Sequence, residues 1–105
     1  MRLVLVALAL AVSPVTTIQA ADASAGKAAY DKSCKSCHGA DGTANPAIAK
    51  MMKVDMRSLQ SPEVQAESDA DLKKIIVDGQ GKMKPMPSLS GSAGDIVAYM
   101  RTLKK

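Results

Sequence analysis

From residue 23 onward the apolar positions recur every three or four residues and do not alternate over any useful length, so the pattern predicts helices and no strand worth defending. Leu72, Ile75 and Ile76 form one stripe. Ser68-Asp69-Ala70-Asp71 introduces it, with Ser68 as the predicted cap and Asp71 in the acidic place of a capping pattern, and Gly79 ends it. Ile96, Tyr99, Met100 and Leu103 form a second stripe, which the spacing carries to the C-terminus, and Ser92 and Asp95 repeat the capping pattern at its start. Arg101, Lys104 and Lys105 at its end suit the negative pole of a helix.

Residues 23–35 have high helix propensity, with Ser24 as the predicted N-cap and His38-Gly39 as the exit. Gly26 and Tyr30 fall four apart on one face of this segment. A glycine inside a helix costs stability unless another backbone comes close, and the expected partner is the other end of the chain. Residues 39–46 carry almost every turn signal. Pro46 opens a short predicted helix through Met52, and 53–67 reads as irregular, with Ser61-Pro62 interrupting any continuation. Met51, Met52 and Met56, set among Ala47, Ile48, Val54 and Leu59, read as packing rather than as a methionine metal box.

The beginning of the chain follows another pattern. Residues 3–12 are an unbroken apolar run too short to span a bilayer, preceded by Met1-Arg2, broken by Ser13-Pro14, and followed by the small residue Ala20 at a plausible cleavage point. The expected organisation is a signal peptide over 1–20 and one small all-α domain over 21–105, exported and soluble, with an uncleaved anchor as the alternative.

Composition changes this picture in one respect. The chain has no Phe, no Trp and two Tyr, so the core has to be made mostly from Ala, Val, Ile, Leu and Met. Such a core is thin for a domain of this size. Loss of Arg2 with the leader takes the basic residues from 14 to 13 against 10 acidic ones, a net charge of +3 rather than +4. No basic stripe interleaved with aromatics is present, and nucleic acid is not an expected partner.

The chemistry lies in Cys34-Lys35-Ser36-Cys37-His38. Two thiols one helical turn apart, followed at once by an imidazole, read as a haem attachment site: Cys34 and Cys37 add to the two vinyl groups of one porphyrin edge and His38 ligates the iron. Zinc needs about four ligands, and the chain offers two Cys and one His. A thioredoxin-like pair belongs after a strand, and none is predicted upstream. A disulfide across so short a loop would stabilise little. One haem c also supplies the large flat apolar body that the side chains do not, and its two propionates offset much of the positive charge. His38 is expected to donate its second ring N–H to the carbonyl of Pro46, in the rigid Asn45-Pro46 region.

Since His38 is the only histidine, a second axial ligand has to come from elsewhere, and a thioether is the natural soft partner. Residues 79–88, Gly-Gln-Gly-Lys-Met-Lys-Pro-Met-Pro-Ser, hold Met83 and Met86 in a backbone restricted by glycines and prolines. Met83 is the preferred ligand and Met86 the runner-up; water, lysine or an open position are the alternatives.

With these pieces in place, the chain resembles the small class I monohaem c-type cytochromes over residues 22–105. The resemblance rests on Gly26 and Tyr30, on the Cys34-to-His38 motif, on the Gly-Gln-Gly-Lys-Met stretch and on Ile96-Val97-Ala98-Tyr99-Met100. It implies an all-α fold in which the N- and C-terminal helices cross, with Gly26 and Tyr30 meeting Ile96 and Tyr99. It also implies His/Met haem and one-electron transfer between redox proteins. The departure is Met83-Lys84-Pro85-Met86-Pro87, where such families commonly show one methionine followed directly by proline.

The expected function is therefore that of a periplasmic electron carrier, monomeric and not an enzyme. Lys27, Lys32, Lys35, Lys82 and Lys84 are placed to steer it toward acidic-surfaced partners. The rivals are an open-site haem protein, acting as gas sensor or weak peroxidase, and a haem subunit of a larger oxidoreductase.

Overall fold

The computed structural model describes residues 21–104, and residue 11 by itself. The expected leader over 1–20 lies outside the described residues. Among the described residues six α-helices follow in order: α1 (Ala23–Ser33), α2 (Lys35–His38), α3 (Pro46–Met52), α4 (Pro62–Gln65), α5 (Asp69–Asp78) and α6 (Ala93–Thr102), with one 3-10 turn at Pro87–Leu89. Among the described residues the only strand-like pairing is an isolated antiparallel bridge between Gln80 and Met83. The all-α expectation is met.

The organising contact is between α1 and α6. A Cβ on Gly26 would lie 1.8 Å from the carbonyl oxygen of Asp95, so only glycine lets the two backbones come this close. Tyr30 and Tyr99 lie on the same seam, with ring centroids 5.1 Å apart and planes tilted by 60°, a geometry aromatic pairs favour. Leu72 and Ile76 of α5 join Ile96, Val97 and Met100 of α6 around these rings to form the buried core.

Two caps differ from expectation, for one reason. α1 is capped by Asp22 rather than Ser24, its carboxylate accepting from the N–H groups of Ser24 (2.9 Å) and Ala25 (3.3 Å). A carboxylate there also meets the positive pole of the helix. Ser92 makes no side-chain cap on α6. Asp95 turns instead to accept the backbone N–H of Asp22 at 2.8 Å, so both acidic residues serve the place where the helix N-termini converge.

Elsewhere Ser68 caps α5 as its pattern predicts, accepting from Asp71 N–H at 3.1 Å, and Gly79 ends that helix at φ 77°. Ser61-Pro62 does not interrupt a helix but starts one. Ser61 caps α4 and Pro62 takes its first position, where the missing N–H is not needed. α6 stops at Thr102 rather than at the chain end. Arg101 does not serve the helix pole; it donates to the carbonyls of Gln65 (2.8 Å) and Glu67 (2.7 Å) and to the Asp69 carboxylate (2.7 Å), locking α4 and the start of α5 onto α6.

Candidate haem site

Cys34 is both the last cap of α1 and the first of α2, and the small kink there separates the two helices. The N–H groups of Cys37 (3.2 Å) and His38 (3.0 Å) both donate to the Cys34 carbonyl, so one tight turn carries both thiols and the imidazole. Gly39, at φ 78°, then ends α2. Cys34, Cys37 and His38 all line one cavity of about 900 Å³. Its volume lies within the range of small-molecule and cofactor pockets.

The electrostatics of the trio follow from burial. Both cysteines are free thiols. Desolvation, helped by the neighbouring Cys37, pushes the Cys34 thiol up to about 11, so it is uncharged at neutral pH. Burial lowers the pKa of His38 and keeps its imidazole neutral, with a lone pair available. Its Nδ1 is buried and has no hydrogen-bond partner. The bond expected to the Pro46 carbonyl is not made; Pro46 is the first residue of α3, where the backbone carbonyl belongs to the helix ladder.

Both methionine candidates line the same cavity. Met83 closes a tight turn: its N–H donates to the Gln80 carbonyl at 2.9 Å and its carbonyl accepts from Gln80 N–H at 3.2 Å, around Gly81 at φ 57°. A Cβ on Gly79 would come within 2.5 Å of the Met83 carbonyl, so this turn packs directly on the glycine that ends α5. Met86 is held separately by its N–H to the Val77 carbonyl at 3.0 Å, just before the 3-10 turn. Lys82 donates its ammonium to the carbonyl of Met52, joining this loop to the end of α3. Met51, Met52 and Met56 line the cavity too and none enters the buried core, Met51 being 71% exposed. Their packing role is therefore on a cavity wall and not in the closed core.

The donor set fits a haem: two thiols one turn apart, a neutral imidazole, thioethers from a second segment and a large apolar cavity between them. Sequence reasoning missed the part played by Asn45. Its side chain caps α3 through Ala47 N–H (3.1 Å) and donates to the Ser36 carbonyl (3.2 Å), tying the two ends of the loop together. The Asn-Pro pair was the available signal, since Asn before a helix-opening Pro is a cap.

Comparison with known proteins agrees with this geometry. The sequence model of the Cytochrome_CBB3 family, described as cytochrome c oxidase, cbb3-type, subunit III, matches residues 21–100. Among solved structures, the KustC0563 c-type cytochrome is similar at a TM-score of 0.65 and 27% identity, over 76% of this chain and 98% of its own. No curated protein matches the chain. Helical fold, thiol-thiol-imidazole turn and sequence match together place the chain in this cytochrome c family, as a small monohaem c-type cytochrome with covalently bound haem c.

Proposed function

We propose that residues 21–105 form an exported one-electron carrier in which Cys34 and Cys37 hold the haem, His38 ligates its iron on one side and Met83 on the other. The observation that carries this reading is that all four side chains, from two distant segments, line one apolar cavity. Bound haem c supplies the Fe(III)/Fe(II) couple. The chain's own residues do the rest. The cysteines fix the porphyrin edge, and the neutral His38 offers its lone pair without first losing a proton. The turn 80–83 presents Met83 with little freedom, and Ile48, Val54, Leu72 and Ile76 keep water from the ring. With His38 and Met83 both ligating, the bound iron would offer no open position to a substrate and would serve electron transfer rather than catalysis.

Met83 is preferred over Met86 because its turn, built around Gly81, packs directly on Gly79 at the end of α5. Met83→Ala is expected to abolish the weak red charge-transfer band of the oxidised protein and lower the reduction potential, while Met86→Ala leaves both in place. The reverse pattern assigns the iron to Met86, and absence of the band from the native protein assigns an open site. Rapid binding of CO by the native protein would support that open-site reading.

A leader over 1–20 would send the carrier out of the cytoplasm, to the periplasm; no helix among the described residues is long and apolar enough to cross a membrane. The partners are redox proteins, with acidic surfaces. Lys27, Lys32, Lys35, Lys82 and Lys84 are all exposed. Lys27 is paired with Asp31, so Lys32, Lys35, Lys82 and Lys84 carry most of the steering. An electron-transfer rate that does not change with ionic strength removes the steering. A second reading, a haem subunit held in a larger oxidoreductase, draws support from the description of the matching family as an oxidase subunit. Size-exclusion chromatography of a native extract distinguishes them: a free carrier elutes as a monomer of about the chain's own mass.

A further inference from the structure

The methionine-lined cavity has two edges that come from distant parts of the chain: α3 brings Met51 and Met52, and residues 79–86 bring Met83 and Met86. The second edge is fastened to α5. A Cβ on Gly79 would come within 2.5 Å of the Met83 carbonyl, and the Met86 N–H donates to the Val77 carbonyl at 3.0 Å. Toward α3 the fastening is a side chain: the Lys82 ammonium donates to the carbonyl of Met52, 30 residues away in sequence. Both residues line the cavity, so this bond bridges its two edges.

The acceptor is one that a helix end leaves over, since the last carbonyls of a helix receive no N–H from a following turn. Those of Ala49 and Lys50 are met by the N–H of Lys53, which turns to φ 54° to reach them. The Met52 carbonyl falls outside that cap, and the ammonium takes it. A cationic donor makes a stronger bond than a neutral one. Lys82 also stands directly before Met83, so whatever holds its side chain limits how far the next residue can swing. We propose that Lys82 is a positioning residue for the axial thioether: by clasping α3 it keeps the Met83 turn closed on the cavity and slows the exchange of Met83 for an outside ligand. The inference rests on the assignment of Met83 as an iron ligand.

Free imidazole, uncharged at about pH 8, reports the opening directly. Its binding to the oxidised holoprotein requires Met83 to leave first, so the rate reaches a plateau at high concentration, and that plateau is the opening rate. Lys82→Leu removes the donor, keeps an apolar stem and is expected to raise the plateau about fivefold, the effect of one lost hydrogen bond. Lys82→Arg, which can donate to the same carbonyl, is expected to restore it. Two controls should leave the plateau where it is: Lys84→Leu removes a neighbouring charge from the same loop, and Arg101→Met loosens α4 and α5 and lowers Tm. If Lys82→Leu does not accumulate, Lys82→Ser is read in its place. A plateau unchanged in the Lys82 variant, or raised as much in either control, overturns the proposal while leaving Met83 as the ligand. Loss of the red charge-transfer band in Met86→Ala rather than in Met83→Ala overturns the assignment and the proposal with it.

Discussion

The seam between α1 and α6 and the methionine-lined wall made by α3 and residues 79–86 are held in opposite ways. At the seam protein meets protein: the Gly26 backbone rests on Asp95, while Tyr30 and Ile96 are each 1% exposed. On the wall, Met51, Met52, Met56, Met83 and Met86 close on the cavity, and none of them is in the buried core. The difference teaches where this fold gets its stability. A chain with two aromatic side chains puts both into one seam and leaves the other half of its apolar surface to a ring it does not encode. Flexible thioethers suit that half, since they adapt to the face of a cofactor better than branched residues do.

The strongest way to break the comparison is to remove the cofactor's anchors. Cys34→Ala with Cys37→Ala, produced without haem, is expected to lose most of the helical circular dichroism, because the seam alone buries too little to offset the entropy of ordering the chain. A native-like helical spectrum from that variant would show the seam to be self-sufficient and the wall incidental. A smaller but still large effect should come from the seam itself. Gly26→Ala in the holoprotein forces a Cβ to within 1.8 Å of a backbone oxygen that has nowhere to move, and is expected to cost about 3 kcal/mol of unfolding free energy by denaturant titration. A loss no greater than the usual cost of overpacking a surface helix would mean that the two helices slide apart easily and that the seam is not rigid.

What the sequence made legible divides along the same line. The stripes of α5 and α6, the short α3 and the Cys-Cys-His turn were readable because each depends on neighbours within a turn or two of chain. The close approach at Gly26 was readable as well, because an otherwise costly glycine in a helix has few explanations. The details that were missed are long-range. Asp95 satisfies the N–H of Asp22 across 73 residues of sequence, and the Tyr99 hydroxyl reaches Ala40 across 59. No local pattern encodes either. Ser61-Pro62 was misread for a different reason: the same dipeptide can stop a helix or begin one, and only the Arg101 contacts to Gln65 and Glu67 decide that a short helix is worth forming there.

The smallest effect sharpens the comparison from the outside of the seam. Lys27 and Asp31 form a 2.8 Å ion pair on α1, one residue along from Gly26 and Tyr30 respectively, and it is the most visible electrostatic contact of the helix. Both groups lie open to water: the Lys27 side chain is 59% exposed and that of Asp31 36%. The pair raises the pKa of Lys27 and lowers that of Asp31, as a mutual hydrogen bond and attraction should. Yet its order is the less favourable one for a helix, with the cation nearer the N-terminus and the anion nearer the C-terminus. Salt screens what remains. Lys27→Ala is therefore expected to leave Tm unchanged at moderate ionic strength, in a helix where adding one methyl group at the neighbouring Gly26 costs about 3 kcal/mol. A clear fall in Tm for Lys27→Ala, reversed by the charge-preserving Lys27→Arg, would move part of the seam's strength from the buried backbone contact to the exposed charges and weaken the contrast between its two faces.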